Sequence, residues 1–391
     1  MIGVIADDLT GAAELGAVGL RHGLKAEIVL AGTPSGQAEL VCVDTDSRAC
    51  AASEAAKRAA AGAEILHPAN PAWLYKKTDS VLRGQVTAEV ESLLSSLHRQ
   101  SALLVPCNPS LGRIIRDGEY FIHGKPIHET EFSRDPTYPR RSPKVLELLA
   151  SAAHGAIRVC KPGEPLPANG IVLGEAQTLE HLRFWAGQAA PGRLMGGGAE
   201  FFAALLEASG LKPLAAAQTA NVADHPGAEL FISGSTSIAA RDFVSSARTK
   251  GTPIFSLPKE LAKGGTLSAA QADALAAQIA AATRSHHRAI VQIGLPPVSD
   301  RTAAEALTCH LIALAAGALA KAPIDRIYAE GGATAVELVH RMGWQRLTVL
   351  QELAPGVACL AVQGDRPLQL IIKPGSYLWP ESVRKGFKRA S

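Results

Sequence analysis

Much is missing from this 391-residue chain, and each absence excludes a class of protein. The six cysteines (Cys42, Cys50, Cys107, Cys160, Cys309, Cys359) lie far apart, and none forms a C-x-x-C pair. In a chain this large they read as reduced, mostly buried thiols rather than a disulfide frame or a zinc site. Charge of one sign is also lacking: 39 Lys and Arg face 36 Asp and Glu, a net of +3. Apart from the short tail Arg384–Arg389 there is no dense basic stripe, so nucleic acid is not an expected partner. Apolar runs such as Leu311–Ala320 are too short to span a bilayer, so no membrane is expected either. The opening Met1-Ile2-Gly3-Val4-Ile5-Ala6-Asp7-Asp8 puts two acids where an export signal needs an apolar stretch, which predicts a cytoplasmic protein. There is no G-x-x-x-x-G-K-[ST] loop, and Gly196-Gly197-Gly198-Ala199 lacks the last glycine of a dinucleotide fingerprint. No G-x-S-x-G elbow occurs.

What is present is 47% apolar and 19% charged, enough to bury substantial cores. At about 100–200 residues per domain, the length suggests two or three domains. Short apolar segments (Ile2–Ala6, Ala26–Leu30, Leu40–Val43, Trp73–Lys76, Ala102–Val105) alternate with helical patterns (Gly11–His22, Ala51–Ala61, Val86–Leu97). That order predicts a mainly parallel sheet. The stretch Cys107–Pro143, rich in Pro, Gly, Arg and His, breaks the rhythm and suggests a functional insertion carrying a short hairpin around His123-Gly124-Lys125. A second α/β pattern runs from Leu230 to Ile372. The expectation is two α/β domains, each with a largely parallel or mixed sheet flanked by helices: 1–211, a linker at 212–228, and 229–391.

In open α/β sheets ligands bind beyond the carboxyl ends of the strands. Polar residues follow four strands directly: Asp7, Asp8 and Thr10; Asp44, Thr45, Asp46, Ser47 and Arg48; Lys76, Lys77, Thr78, Asp79, Ser80 and Arg83; then Cys107 and Asn108. Singly, each Asp, Ser or Thr could be a helix cap or turn former. Together they describe a site. Lys76, Arg83 and Arg48 suit an anion, and a guanidinium can hold a carboxylate through two parallel bonds. Asp7, Asp8, Asp44 and Asp79 are acceptors for hydroxyls. A small polyhydroxylated acid fits that mixture. His123 and His128 are near acids, but no third ligand is placed by spacing, so no metal site is expected. The second half offers strand-to-helix turns at Ser233-Gly234-Ser235-Thr236-Ser237 and Glu330-Gly331-Gly332-Ala333-Thr334, and a turn at Lys373-Pro374-Gly375-Ser376. Glycine turns that feed a helix N-terminus suit phosphate. The capping-box spacing of Thr334 and Glu337 predicts a helix start there.

These residues resemble the four-carbon acid sugar kinases. Ile5-Ala6-Asp7-Asp8-Leu9-Thr10-Gly11-Ala12 is similar to the family's "IADDFTGA", and Lys77-Thr78-Asp79-Ser80-Val81-Leu82-Arg83-Gly84 to its "KTDSTLRG". Gly112-Arg113, Asp117-Gly118 and His128-Glu129-Thr130-Glu131-Phe132-Ser133-Arg134-Asp135-Pro136 resemble "GR…DG…HETEFARDP". Ser233-Gly234-Ser235, Gly331-Gly332-Ala333-Thr334 and Lys373-Pro374-Gly375 resemble "SGS", "GGET" and "KSG". Leu9, Val81, Ala333 and Glu175 depart from the usual residues, and Met195–Ala199 stands where the family shows a "GSAG"-like turn. The Lys77–Ser80 form is closer to the threonate and erythronate kinases than to the 3-oxo-tetronate branch.

The resemblance implies an N-terminal sugar-acid-binding domain, a C-terminal nucleotide-binding domain and an active site in the cleft between them. It implies ATP and Mg2+ as cofactors and phosphorylation of the terminal hydroxyl of a four-carbon acid; a homo-oligomer is compatible with it. By the resemblance Asp8, Lys77, Thr78, Asp79 and Arg83 would face the acid; Asp44, Lys76, His128 and Glu129 are further candidates for it, with Lys76, Lys77 or Arg83 on its carboxylate. Ser235, Gly331, Gly332, Ala333, Thr334 and Gly375 would face ATP. Asp8 is the favoured proton acceptor, with Asp7 and Asp79 as alternatives. Rival readings are an NAD(P)-dependent oxidoreductase of a hydroxy acid, a non-catalytic two-lobed acid-binding protein, and a family member that has lost activity through Ala333.

Overall fold

The computed structural model describes residues 1–135, 137–149, 157–214, 227–296, 298, 300–364, 366–375 and 377–385. The chain divides into two compact units, Met1–Ala215 and Ala216–Ser391. Most of the expected linker, residues 215–226, lies outside the described residues.

The first unit is built on eight parallel strands. In chain order they are β1 (Ile2–Ala6), β2 (Ala26–Val29), β3 (Leu40–Asp44), β4 (Trp73–Lys77), β5 (Ser101–Val105), β9 (Ile157–Cys160), β10 (Gly170–Gly174) and β11 (Arg193–Gly197). In space they run β2-β3-β1-β4-β11-β5-β10-β9. Every residue of β1, β3 and β5 is buried, the pattern of parallel strands covered on both faces. The helices are α1 (Leu9–Arg21), α2 (Ala52–Leu66), α3 (Val86–Ser96), α4 (Val145–Leu148), α5 (Leu179–Ala186) and α6 (Ala199–Ala208). The insertion forms a small antiparallel sheet of β6 (Arg113–Arg116), β7 (Glu119–Ile122) and β8 (Lys125–Pro126). The expected hairpin is there, but its second arm is short. Pro126 has no N–H to donate to a ladder, and Ile127–Glu129 curls into a 3-10 turn.

Two strands, β6 and β11, were not expected. The glycine run taken for a turn is the end of β11, which passes between β4 and β5. Gly197 has φ +138, and a Cβ there would lie 2.1 Å from the Val105 carbonyl oxygen. Only glycine tolerates that approach. The carbonyl of Gly197 accepts the N–H of Thr78 at 3.1 Å, so this strand sets the start of the turn after β4.

The second unit holds β12 (Glu229–Ser233), β13 (Ile254–Ser256), β14 (Arg288–Gln292), β15 (Arg326–Glu330), β16 (Arg346–Ala354), β17 (Val357–Val362) and β18 (Leu368–Lys373). The order β13-β14-β12-β15-β18 is parallel, and β18-β17-β16 continues antiparallel. Helices α7 (Ile238–Thr249), α8 (Ala269–His286), α9 (Arg301–Lys321), α10 (Gly332–Met342) and α11 (Glu381–Lys385) complete it. Phe231 and Tyr328 stack at 3.9 Å, with Trp379 edge-on to both, in a core with Ile290, Ile371 and Val383. Helix α9 is long and apolar enough to cross a membrane by length and composition, more than the run Leu311–Ala320 suggested. In this unit it packs on α8 and α10 and buries Leu307, Leu311, Ile312 and Ala315. Helix α10 starts earlier than the capping-box spacing implied. Its cap is Gly331, with φ +106 and no side-chain cap bond.

Beneath the first sheet's carboxyl edge lies an ion pair. Lys76 is fully buried, with Nζ 3.0 Å from Glu89 of α3. The Ser47 hydroxyl donates to Glu89 in a short bond and meets Thr45 at 2.7 Å, and Thr45 donates to the Ala6 carbonyl at 2.8 Å. This network ties the ends of β1, β3 and β4 to one helix. Removing one partner strands a buried charge. Lys76→Met is therefore expected to cost about 3–5 kcal/mol, and Lys76→Met with Glu89→Leu to recover most of it. Urea denaturation checks both; equal stability of the single variant and the parent would show that the pair does not hold these ends.

Candidate functional site

The register of the first sheet brings Asp44 and Lys77 alongside Ala6, so the residues that follow three strands meet at one edge. Asp8 caps α1 by accepting the Gly11 N–H at 2.8 Å and also accepts the Thr10 hydroxyl in a short bond. Arg48, from the turn after β3, holds both leading acids. Its Nε and Nη2 donate to Asp7 at 2.7 and 2.9 Å, and its Nη1 and Nη2 donate to Asp8 at 2.6 and 2.8 Å. Asp79 lies 3.8 Å from the same guanidinium. Asp79 also accepts Arg83 Nη2 at 2.8 Å and the N–H groups of Val81 and Arg83 at 3.1 Å each. Arg83 reaches Asp135 of the insertion at 3.1 Å.

The insertion clasps this turn from several directions. Tyr120 donates to the Ser80 carbonyl at 2.6 Å, Arg113 to the Ser80 hydroxyl at 2.6 Å, Tyr138 to the Arg48 carbonyl at 2.5 Å, and Arg140 to the Leu82 carbonyl at 3.0 Å. Leu82 sits in the left-handed region at φ +62, a conformation a bulky residue adopts only when its surroundings enforce it. Glu175 brackets the insertion's Asp117-Gly118 turn, accepting both N–H groups at 3.1 and 2.7 Å.

The electrostatics divide the acids. Burial pushes the Asp8 carboxyl up, but Arg48, the Thr10 hydroxyl, Lys77 and the Gly11 N–H outweigh it and hold the group below the usual range. Asp79 is likewise pushed up by burial and brought far down by Arg83 and Arg48. Asp44 behaves oppositely. Burial drives its carboxyl well above the usual range, and Asp8, Asp46 and Asp7 push the same way, against only the Asp46 N–H. Among the described residues no cation pairs with Asp44.

The expected anion anchors are already engaged. Lys76 is interior, on Glu89. Lys77 Nζ lies 3.1 Å from Glu14 and donates to the Thr78 carbonyl at 3.0 Å. Arg83 is held by Asp79 and Asp135. The buried Thr78 hydroxyl has no partner among the described residues. His128 and Glu129 lie 3.9 Å apart and make no bond to the cluster among the described residues.

In the second unit three turns converge. Ser235 and Ser237 donate to the Gly375 carbonyl at 3.2 and 2.8 Å, and Gly331 N–H donates to the Lys373 carbonyl at 3.0 Å. The Thr334 hydroxyl is turned to Gly234, where a Cβ would meet it at 1.9 Å. Gly332 and Ala333 open α10, with Ala333 exposed. Under them Lys373 pairs with Glu330 at 2.5 Å, and Ser233 donates to Glu330 at 2.5 Å. Burial lowers the Lys373 ammonium, and Glu330 offsets part of that. The uncapped N-terminus of α10 presents backbone N–H groups and the positive end of its dipole, a setting for phosphate.

Comparison with known proteins follows the same division. A family model described as a sugar-binding N-terminal domain matches residues 2–177, and one described as a nucleotide-binding C-terminal domain matches residues 230–377. A D-threonate kinase of Salmonella typhimurium is 35% identical over 150 residues, 38% of this chain and 36% of the relative. In that match the chain spans little more than a third of the relative's length. A D-threonate kinase of Cupriavidus necator is 29% identical, covering 90% and 88%, and a 3-oxo-tetronate kinase of Pseudomonas fluorescens 26% identical, covering 96% and 94%. The chain belongs to the four-carbon acid sugar kinase family. In fold, a Salmonella typhimurium structure named as a tRNA synthase superposes with TM-score 0.77 at 21% identity over 99% of this chain and 98% of that one.

Within this family's N-terminal pattern, Asp7, Asp8, Asp79 and Arg83 come together, with Asp44 and Thr78 at the same edge. Sequence reasoning did not find the partners Glu14, Glu89 and Asp135, nor the pair Glu330 and Lys373. Arg48 was legible as a cation after β3, but not as the clamp on two acids.

Two outcomes follow. The carboxyls of Asp8 and Asp79 are lower in the folded protein than the ~3.9 of an unfolded Asp, so their stabilisation is complete above that value and lost as pH falls below it. Between about pH 5 and pH 2 the parent's urea midpoint should fall more steeply than that of Asp79→Asn, with equal slopes above about pH 6. Identical acid limbs would remove Asp79 from this role. In the second unit, Gly234→Ala is expected to destabilise by about 1–3 kcal/mol through overpacking, and an added Thr334→Ala to restore most of it. An additive pair of effects in denaturation would show that the two residues do not share this space.

Proposed function

We propose that this chain transfers the γ-phosphoryl group of ATP, accompanied by Mg2+, to the terminal hydroxyl of a four-carbon sugar acid of the threonate or erythronate type. The observation that carries the reading is the presence in one chain of two complementary binding edges. One is an acid–arginine edge rich in acceptors that suit hydroxyls; the other is a set of glycine turns at a helix start that suits phosphate. The full-length kinase relatives and the two matched domain models support the same assignment.

Phosphoryl transfer needs positioning and charge stabilisation more than covalent help from the protein. Asp8, kept ionised at neutral pH, accepts the hydrogen of the substrate's terminal hydroxyl. The hydroxyl oxygen bonds to the γ-phosphorus as the bond to the β,γ-bridging oxygen breaks. ADP leaves with that oxygen, and the hydroxyl proton passes to the Asp8 carboxylate and then to solvent. Asp7 and Asp79 remain alternatives for the acceptor; each, like Asp8, is engaged by an arginine. The α10 N-terminus, with Ser235, Gly331, Gly332, Thr334 and Gly375, would cradle the phosphates. Mg2+ bound mainly to nucleotide phosphates requires only one or two carboxylates. Asp44, an acid at the strand edge with no cation partner among the described residues, would be the carboxylate to meet that need. The ion would supply neutralisation of phosphate charge.

An ADP-release assay with Mg-ATP across D- and L-threonate, D- and L-erythronate and 3-oxo-tetronate tests the reading. Turnover with at least one acid is expected. Asp8→Asn should lower kcat about 100- to 10,000-fold while leaving nucleotide affinity within a few-fold of the parent. Full turnover by Asp8→Asn would remove it as the acceptor. A folded parent that turns over no acid would overturn the kinase assignment.

A further inference from the structure

Resting on that reading, the charge pairing in the first unit leaves the substrate carboxylate without the anchors expected from sequence. Lys76 is taken by Glu89, Lys77 by Glu14, Arg48 by Asp7 and Asp8, and Arg83 by Asp79 and Asp135. Arg140 is buried and donates to the Tyr138 and Leu82 carbonyls. An anion arriving at any of these would compete with a carboxylate or a carbonyl already in place.

Arg113 differs. It is half-buried, and no carboxylate among the described residues pairs with it. Its Nη1 donates to the Ser80 hydroxyl at 2.6 Å, and its guanidinium lies 5.7 Å from the centre of the Phe132 ring. A guanidinium carries five N–H donors. The others have no protein acceptor among the described residues. The backbone of Arg113 is fixed: it exchanges two hydrogen bonds with Asn108, at 2.9 and 3.1 Å, which ties the start of β6 to the carboxyl end of β5. The side chain thus reaches the turn after β4 from a rigid base. Ser80 follows Asp79 directly, and Asp79 lies 3.8 Å from the Arg48 guanidinium that holds Asp8. The free fork and the acid proposed to receive the proton are therefore linked through one short run of contacts.

We infer that Arg113 is the residue that binds the carboxylate of the sugar acid, with the Ser80 hydroxyl and the Phe132 ring holding its plane. A fork with open parallel donors is the geometry that recognises a carboxylate through two bonds. The aspartates beyond Ser80 set the polarity of the substrate: the anionic end goes to Arg113 and the hydroxyls to the aspartates. The carboxylate requirement would then come from this one side chain, and a four-carbon polyol of the same length lacking the acid would bind poorly.

Titration calorimetry with the full chain and each acid of the panel, beside the neutral tetritols, tests this without requiring turnover. The parent is expected to prefer an acid to its tetritol. Arg113→Gln should weaken acid binding about 10- to 100-fold, the loss of charge-assisted bonds, and erase the preference over the tetritol, with ATP affinity unchanged. Arg113→Lys, which keeps the charge but not the fork, should fall between; it decides the matter if the glutamine variant does not fold. Acid affinity unchanged in Arg113→Gln, or in Arg113→Lys if only that variant folds, would overturn the inference. So would a parent that binds no acid of the panel. If the parent binds an acid through Arg113 yet releases no ADP with it, the anchor stands and the kinase reading falls.

Discussion

The first unit depends on one guanidinium between two adjacent carboxylates. Asp7 and Asp8 follow a buried strand, and two neighbouring like charges in a nearly dry edge would repel each other and lose hydration. Arg48 answers both acids through four short donor contacts. Because Asp79 is within 3.8 Å of the same group, the ends of β1, β3 and β4 become one electrostatic unit. The Lys76–Glu89 pair below does the same from the interior side, and the insertion's aromatic hydroxyls and arginines lock the turn from outside. A buried constellation of this kind is a weak source of net stability and a strong source of geometric definition.

The turns of the second unit are built differently. Its turns rely on main-chain N–H groups, small hydroxyls and close glycine approaches, while its charged pair, Glu330 with Lys373, is kept beneath them. On the proposed reading, one surface suits a ligand rich in hydroxyls, the other one rich in oxygen anions. The substitution of alanine in the family's "GGET" element falls at an exposed position in the first turn of α10. There it leaves the backbone donors and the Thr334–Gly234 contact in place.

The parts of this architecture that were legible in the sequence share a cause. Continuous apolar runs such as Ile2–Ala6 and polar residues directly after them mark strand ends, because local pattern alone specifies them. What escaped depends on pairing at long range. Strand β11 was hidden because Gly196 and Gly197 carry no periodic signal; they are glycines on account of Lys76 and Val105, residues remote in sequence. The start of α10 was misplaced because Thr334, which has the spacing of a cap, is committed to Gly234 across the fold. Lys76 and Lys77 looked like ligands for an anion since nothing in the local sequence shows Glu89 or Glu14 beside them. Which cation remains unspent is a property of the completed set of pairs, and no segment contains it.

The position of β11 has a consequence for how the protein comes into being. Strands β4 and β5 are successive in the chain but do not touch; the strand between them ends at Gly197, more than ninety residues further along. The centre of the sheet therefore cannot close as the polypeptide emerges from the ribosome until nearly all of the first unit has been made. Until then two buried strand edges stand open, and the Thr78 N–H that starts the turn after β4 waits for its acceptor. Sheets completed by a late, distant strand fold slowly and expose edges on the way. For this chain, the turn after β4 gains its last main-chain partner only once β11 is in place.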